Sequence, residues 1–268
     1  MNEAEASVPR AVAAALPQIA AVVDAVAERM AQGGRLLYFG AGTSGRLGIV
    51  DASECPPTFH TRPDQVQGVI AGGAGAMFEA VEGAEDSVEL GVTAVEELSV
   101  TAHDIVVGIA ASGRTPYVLG ALQAGRAAGA LTVGVACNTN TLVGAAADLA
   151  IEVEVGPEVL SGSTRLKAGS ATKQVLNMIS TGAMVRLGKT YGNLMVDLSV
   201  SNIKLRNRAE RLVTAITGAE PSVAAAALDD SGLRVPVAAL MVAEGMDRAE
   251  AEERLHAAGG RLSAALRK

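Results

Sequence analysis

Residues 36–59 read LLYFGAGTSGRLGIVDASECPPTF: a short apolar run, then Gly40-Ala41-Gly42-Thr43-Ser44-Gly45, then a segment that ends in two prolines. A glycine-rich turn between a buried strand and a helix relieves Cβ crowding and aims the unpaired N–H groups of the first helical turn at a ligand. The literal G-x-G-x-x-G is the dinucleotide fingerprint. That reading also needs a carboxylate closing the second strand, about 20 residues on, to hold the ribose hydroxyls. Here the second apolar run ends Val69-Ile70-Ala71-Gly72-Gly73, with no acid. Thr43 and Ser44 place two hydroxyls at the helix N-terminus instead, where the positive end of the dipole favours a phosphate dianion.

Working outward, short β-rich runs recur at 35–39, 66–71, 104–109, 131–135 and 150–155, separated by helical segments. Several are apolar at consecutive positions, as in strands covered on both faces. Five such strands with helical crossovers predict an α/β fold with a doubly wound parallel sheet, whose ligands bind outside the carboxyl ends of the strands. The third run leads into Ala110-Ala111-Ser112-Gly113-Arg114-Thr115-Pro116, a second hydroxyl-bearing loop on the same sheet edge, with Pro116 suited to a first helical turn. The alternative is that these hydroxyls only cap their helices. Neither loop carries a Walker lysine, which disfavours nucleotide hydrolysis.

Carboxylates follow both crossovers. Glu54 precedes Pro56-Pro57 near the end of the first crossover helix, and Glu82, Glu85, Asp86 and Glu89 cluster in the second, where Glu82 and Glu85 share a face at i, i+3 spacing. A solvated charged face is the plainer reading of that cluster. His60, His103 and His256 are isolated, so no metal site is visible, and no G-x-S-x-G elbow marks a hydrolase. Ser161 to Leu198 begins with hydroxyl and basic residues and turns helical, with Val175, Met178, Ile179 and Met184 spaced as a core stripe.

Among 268 residues, 49% are hydrophobic, 30 are glycine and 2% are aromatic, so Ala, Val, Leu and Ile must build the core. The net charge of −7 repels polyanions and excludes broad nucleic-acid binding. Cys55 and Cys137 are too few for a disulfide framework and suit a reducing compartment. The N-terminus lacks a signal-peptide pattern, and no run of about 18 apolar residues occurs, so the expectation is a cytoplasmic protein with no membrane partner. After Thr217-Gly218 the chain becomes Ala-rich, with breaks at Gly232, Gly245 and Gly259-Gly260, and Asp247 with Glu250 reads as a capping box. The expected division is a main domain over 1–216 and a small helical domain over 217–268.

The stretches YFGAGTSGRLGIVDASECPPTF, VIAGG, AVEGAEDS, DIVVGIAASGRTPYVLGAL, SGSTRLKAG and STGAMVRLGKTYGNLMVDL together resemble the N-acetylmuramic acid 6-phosphate etherase family. That family belongs to the sugar isomerase (SIS) phosphosugar-binding superfamily. The resemblance covers roughly residues 35–210 and implies a three-layer α/β/α SIS domain with a five-stranded parallel sheet; the tail resembles a ubiquitin-associated-like helical domain. It implies cleavage of the D-lactyl ether of N-acetylmuramic acid 6-phosphate to N-acetylglucosamine 6-phosphate and D-lactate, by elimination and rehydration without a cofactor. The family's two catalytic glutamates fall on Glu54 and Glu85, with Glu85 as base at C2 and Glu54 as acid at C3. Substrate and phosphate contacts fall on Gly42, Thr43, Ser44, Ser112 and Thr115, with Lys167 a further candidate beside Arg165, Arg46 and Arg114.

A homodimer with the site near the subunit interface is implied as well. A straight helix travels about 15 Å over the ten residues from Ser44 to Glu54, so Glu54 serves either a site completed by the second subunit or a bent chain. Family members usually carry a longer N-terminal segment than this chain, which opens almost directly on VPRAVAAALPQIAAVV. The alternative function is a non-catalytic phosphosugar sensor similar to glucokinase regulatory protein; a single short chain that retains both glutamates argues for the enzyme.

Overall fold

The five apolar runs form one parallel sheet in the computed structural model, which describes residues 1–266. β1 (Leu36–Gly40), β2 (Val66–Ile70), β3 (Ile105–Ile109), β4 (Leu131–Ala136) and β5 (Leu149–Glu152) lie in the order β2-β1-β3-β4-β5. Every residue of β1 and β3 is buried, as an apolar strand covered on both faces requires. Because β1 has β2 on one side and β3 on the other, successive crossovers leave it in opposite directions, and a crevice opens at the carboxyl ends of β1 and β3. The register is level there: Gly40 pairs with Ile70 of β2 and with Ile109 of β3.

Contacts divide the chain into two compact units, Met1–Glu54 with Arg62–Ala183, and Cys55–Thr61 with Met184–Lys268. In the first, α1 (Asn2–Glu5), α2 (Val8–Ala14) and α3 (Leu16–Ala31) precede β1, and α4 (Gly42–Phe59) follows it, with its residues from Cys55 onward counted in the second unit. α5 (Val88–Glu97) precedes β3, α6 (Pro116–Ala127) follows it, α7 (Leu142–Ala146) joins β4 to β5, and α8 (Lys167–Arg186) follows β5, with its residues from Met184 onward counted in the second unit. Among the described residues no single helix is long and apolar enough to cross a membrane.

The expected glycine turn is real, and each glycine answers a different demand. A Cβ on Gly40 would stand 2.7 Å from the Gly45 nitrogen, and one on Gly45 would stand 2.6 Å from the Gly40 oxygen, so strand end and helix start touch backbone to backbone. Gly42 has φ +52 and open space around it; it supplies the left-handed step that turns the strand into α4. In the second loop Gly113 has φ +71, and a Cβ there would overlap the Thr141 side chain.

Two local expectations are corrected. α4 does not stop before the prolines: Pro56 and Pro57 lie inside it and the helix continues to Phe59. The missing proline N–H groups cost ladder bonds to the carbonyls four residues back, but the last turn still closes, with the His60 N–H donating to the Pro56 oxygen at 3.0 Å. Glu82, Glu85, Asp86 and Glu89 do not share a helix. Gly83 adopts φ +74 and Ser87 is extended, which confines Ala84–Asp86 to a single 3-10 turn and starts α5 only at Val88.

The second unit holds a hairpin of β6 (Thr190–Tyr191) and β7 (Leu194–Met195), followed by α9 (Ile203–Thr217), α10 (Pro221–Asp230), α11 (Val235–Glu244), α12 (Arg248–Ala257) and α13 (Leu262–Ala265). Ala209, Leu212 and Val213 of α9 share one core with Ala224, Leu228 and Leu240. That core runs across the 216/217 boundary suggested by composition, because Gly218 (φ +73) is a helix C-cap rather than a linker. The capping box of Asp247 and Glu250 is present.

Candidate active site

Two adjoining cavities open at the carboxyl edge of the sheet in the first unit. One, of about 340 Å³, lies under the glycine loop and is lined by Ala41, Gly42, Arg46, Ala71, Glu82, Glu85 and Asp86 among others. The other, of about 410 Å³ and more open to solvent, lies at the second hydroxyl loop and is lined by Ser112, Arg114, Thr115 and Pro116, and again by Glu85 and Asp86. Glu85 therefore stands on the wall common to both. Its turn is fixed from below by Ala84, which is buried among Leu37, Phe39, Ala110 and Tyr117.

The hydroxyl loops differ from ordinary caps. Thr115 is the N-cap residue of α6, yet its side chain makes no capping hydrogen bond, and Pro116 removes one donor at the first helical position. Thr141, by contrast, caps α7 in the usual way, accepting from the Gly144 N–H at 2.9 Å while donating to Glu152 at 2.7 Å. Thr43 and Ser44 lie within the first turn of α4, where N–H groups lack intrahelical acceptors. Ser44 is 8% exposed, Thr43 half-buried, and Ser112 exposed.

Of the basic candidates, Arg46 donates from Nε to the Met77 carbonyl at 2.9 Å, which ties α4 to the loop ahead of Glu85 while the side chain lines the cavity under the glycine loop. Arg114 is exposed on the other cavity. Lys167 lines neither: it is 7% exposed and its Nζ donates to the Val155 carbonyl at 2.6 Å. Glu158 accepts from the Lys167 and Ala168 N–H groups at 3.0 and 2.9 Å and so caps α8. Arg165 is exposed and also off both walls. A Cβ on Gly169 would stand 3.7 Å from the Thr43 methyl, so the start of α8 abuts the first hydroxyl loop. Cys137 is buried, and that burial pushes its thiol up to about 11. Among the described residues no group of three or more His, Cys, Asp or Glu side chains is arranged to hold a metal ion.

Comparison with known proteins narrows what such a site is for. A family model described as the glucokinase regulatory protein N-terminal SIS domain matches residues 18–126. The structure is similar to a phosphoheptose isomerase from Francisella tularensis (TM-score 0.50, 15% identity, 69% of this chain and 96% of that one). It is equally similar to a protein of E. coli CFT073 (TM-score 0.50, 16% identity, 69% and 87%), and at such identities the likeness is one of fold. Sequence relatives are far nearer. The chain is 57% identical over 266 residues to the N-acetylmuramic acid 6-phosphate etherase of Streptomyces avermitilis, covering 99% of this chain and 86% of the relative. It is 57% identical over 268 residues to that of Rubrobacter xylanophilus, covering 99% and 88%. The chain belongs to the N-acetylmuramic acid 6-phosphate etherase family.

Within this etherase-family chain the second glutamate is placed quite differently from the first. Glu54 is exposed on α4 and lines neither cavity. One turn before it, Asp51 is 7% exposed and accepts hydrogen bonds from the Tyr38 hydroxyl at 2.9 Å, the Asn177 amide at 2.6 Å and the Ser180 hydroxyl at 3.1 Å. The residue-type reading passed over Asp51. Its signal was available: it lies three residues after buried Gly48 and four before buried Cys55, so a charged residue occupies the buried stripe of the helix. A carboxylate there needs donors, and the Asn and Ser of α8 supply them.

Proposed function

We propose that this chain cleaves the D-lactyl ether of N-acetylmuramic acid 6-phosphate, releasing N-acetylglucosamine 6-phosphate and D-lactate, in the cytoplasm and as a homodimer. The observation that carries the mechanism is Glu85 on the wall shared by a hydroxyl-lined cavity and the cavity beneath the glycine loop. Thr43, Ser44, Ser112 and Thr115, with the N–H groups of Gly42 and its neighbours, hold the phosphate at the N-termini of α4 and α6. In the open-chain sugar the C1 aldehyde acidifies the C2 proton, and the ether oxygen on C3 lies β to it.

Glu85 removes the C2 proton and the electrons of that bond pass into an enolate delocalised onto the C1 oxygen. The enolate then re-forms the C1 carbonyl and the C2–C3 double bond as the C3–O bond breaks, and Glu54 protonates the departing lactate oxygen. Water then adds hydroxide to C3 and a proton to C2. Two positioned carboxyl groups, one arriving charged and one protonated, are the ordinary means for such general acid–base work. Ten helical residues separate Ser44 from Glu54, about 15 Å of rise, so the Glu54 carboxyl serves the site across the subunit boundary. Support for a second copy comes from Phe78, Leu142 and Leu160, large apolar side chains 88%, 61% and 60% exposed on segments that leave the carboxyl edge of the sheet.

Incubation with N-acetylmuramic acid 6-phosphate and an assay for D-lactate tests the activity. Tight binding of the sugar phosphate without lactate release would mean a sensor instead. For the shared site, Glu54→Gln and Glu85→Gln homodimers should each be inactive. Mixing them with verified subunit exchange should restore lactate release, and no recovery would end the cross-subunit reading.

A further inference from the structure

α4 must deliver Glu54 with a ladder that is broken at that point. Pro56 and Pro57 lack the N–H groups that would donate to the carbonyls of Ala52 and Ser53, and their rings press on those same carbonyls. The Ser53 hydroxyl donates to the Val50 oxygen at 2.9 Å, a local bond that does nothing to anchor the helix to the rest of the unit. The turn bearing Glu54 thus lacks two of the backbone hydrogen bonds that an unbroken helix would have there. What fixes it from outside sits three residues earlier. Asp51 ties α4 to β1 through Tyr38, which is fully buried, and to α8 through Asn177 and Ser180, two positions one turn apart on the facing helix.

Three donors from two different elements set both the rotation of α4 about its axis and its advance along it. An apolar contact would set neither so sharply, because it lacks direction. A buried carboxylate is also a costly way merely to fill space, since an apolar side chain needs no donors.

We propose that Asp51 is a positioning residue for the ether-cleaving step, acting through Glu54: it locks the rotation and advance of the proline-weakened turn that presents the acid. The inference rests on the reading of Glu54 as the proton donor to departing lactate. Asp51 is 7% exposed and lines neither cavity, so its loss should leave Glu85 and the phosphate loops in place.

The elimination supplies a readout that separates positioning from general damage. Removal of the C2 proton by Glu85 exchanges it for solvent deuterium whether or not the ether then breaks, whereas D-lactate appears only when the leaving group is protonated. Asp51→Asn in this chain should lower kcat for D-lactate release about 100-fold, the cost of misplacing a catalytic group by about 1 Å. C2 exchange in D2O should stay within about threefold of wild type and KM should hold. Lactate release at the wild-type rate, or a parallel fall of release and exchange in a variant with the wild-type urea midpoint, would overturn the proposal.

If Asp51→Asn does not fold, Tyr38→Phe and Ser180→Ala each remove one donor and leave the carboxylate. Each should lower release severalfold with exchange unchanged, and absence of that split overturns the proposal equally. Glu54→Gln is the reference. Parallel loss of both readouts there refutes the role of Glu54 and this proposal with it, while a split in Glu54→Gln without one in the Asp51 network refutes this proposal alone.

Discussion

Glu85 stands on a three-residue turn whose preceding residue is buried in the core beneath the sheet edge, whereas Glu54 stands on an 18-residue helix with two prolines in its final turns. The short turn is held by backbone conformation: Gly83 steps into the left-handed region, Ala84 plugs the core, and Ser87 opens α5 by accepting from the Leu90 N–H at 3.1 Å. The long helix is held by side chains, through the Asp51 network. A catalytic carboxylate can be placed accurately by either means, but the two fail differently. Backbone placement is sensitive to changes of conformation, and side-chain placement to the loss of single hydrogen bonds.

The largest expected effect tests the comparison directly. Glu85→Gln should reduce both C2 exchange and lactate release about 10³- to 10⁴-fold, the upper range for losing a positioned base. Glu54→Gln should reduce release about 10²- to 10³-fold while exchange persists. Equal loss of exchange in the two variants, measured by NMR in D2O, would erase the distinction.

A smaller effect separates ligand hydroxyls from capping hydroxyls. Thr115→Ala should raise KM about tenfold and leave the urea midpoint unchanged, since that hydroxyl caps nothing. Thr141→Ala should leave KM unchanged and cost about 1 kcal/mol of stability, because that hydroxyl satisfies the Gly144 N–H. Reversal of the two outcomes would make the β3 loop an ordinary helix start.

Backbone changes come next. Gly83→Ala meets no atom within 4 Å, so its cost is the left-handed conformation alone, about 1 kcal/mol, accompanied by lower kcat for both readouts as the Glu85 turn loosens. Pro56→Ala restores a donor beneath Ala52 and should stabilise the chain by about 1 kcal/mol in urea, with exchange at C2 untouched.

The smallest effect concerns the opposite edge of the sheet, away from both cavities. Asp104 accepts from the Arg35 backbone N–H at 2.9 Å, from Arg35 Nη2 at 2.7 Å and from the Thr101 N–H at 2.8 Å. Burial pushes its carboxyl up, but the hydrogen bonds and the Arg35 charge outweigh burial and hold it below the usual carboxylate range. A depressed native value contributes stability that is complete above the unfolded value of about 3.9 and is lost as pH falls through the native one. Asp104→Asn should therefore lower stability at pH 7 and flatten its decline below about pH 4, followed by urea titration across pH.

Most of the fold was legible because it depends on local pattern. The five runs begin and end within about two residues of the strands at most boundaries, since consecutive apolar β-branched residues bounded by glycine admit few alternatives; the last run starts about one residue late and reaches too far, where Val153 and Val155 continue buried beyond β5. The turn around Gly40 was equally legible, because close backbone approach admits no side chain. What escaped depends on partners distant in sequence. Lys167 reads as a free cation until the Val155 carbonyl is seen beside it. The acidic run 82–89 reads as a helix face because spacing alone does not reveal that Gly83 takes a left-handed φ. Asp51 lies in the stretch that decides the fold, yet two of its donors come 126 residues later in Asn177 and 129 later in Ser180.

Gly40 and Gly45 meet each other, and the third glycine of the pattern, Gly42, turns the chain; none of the three needs a ligand to explain it. The spacing of the pattern is thus the footprint of a helix brought down onto the end of the strand before it. Any chain that solves that packing problem acquires the same letters, whatever it binds. Chemical identity is carried by the residues between and beyond the glycines, and sorting proteins by those residues groups them by what they bind, where sorting by the glycines groups them only by how they turn.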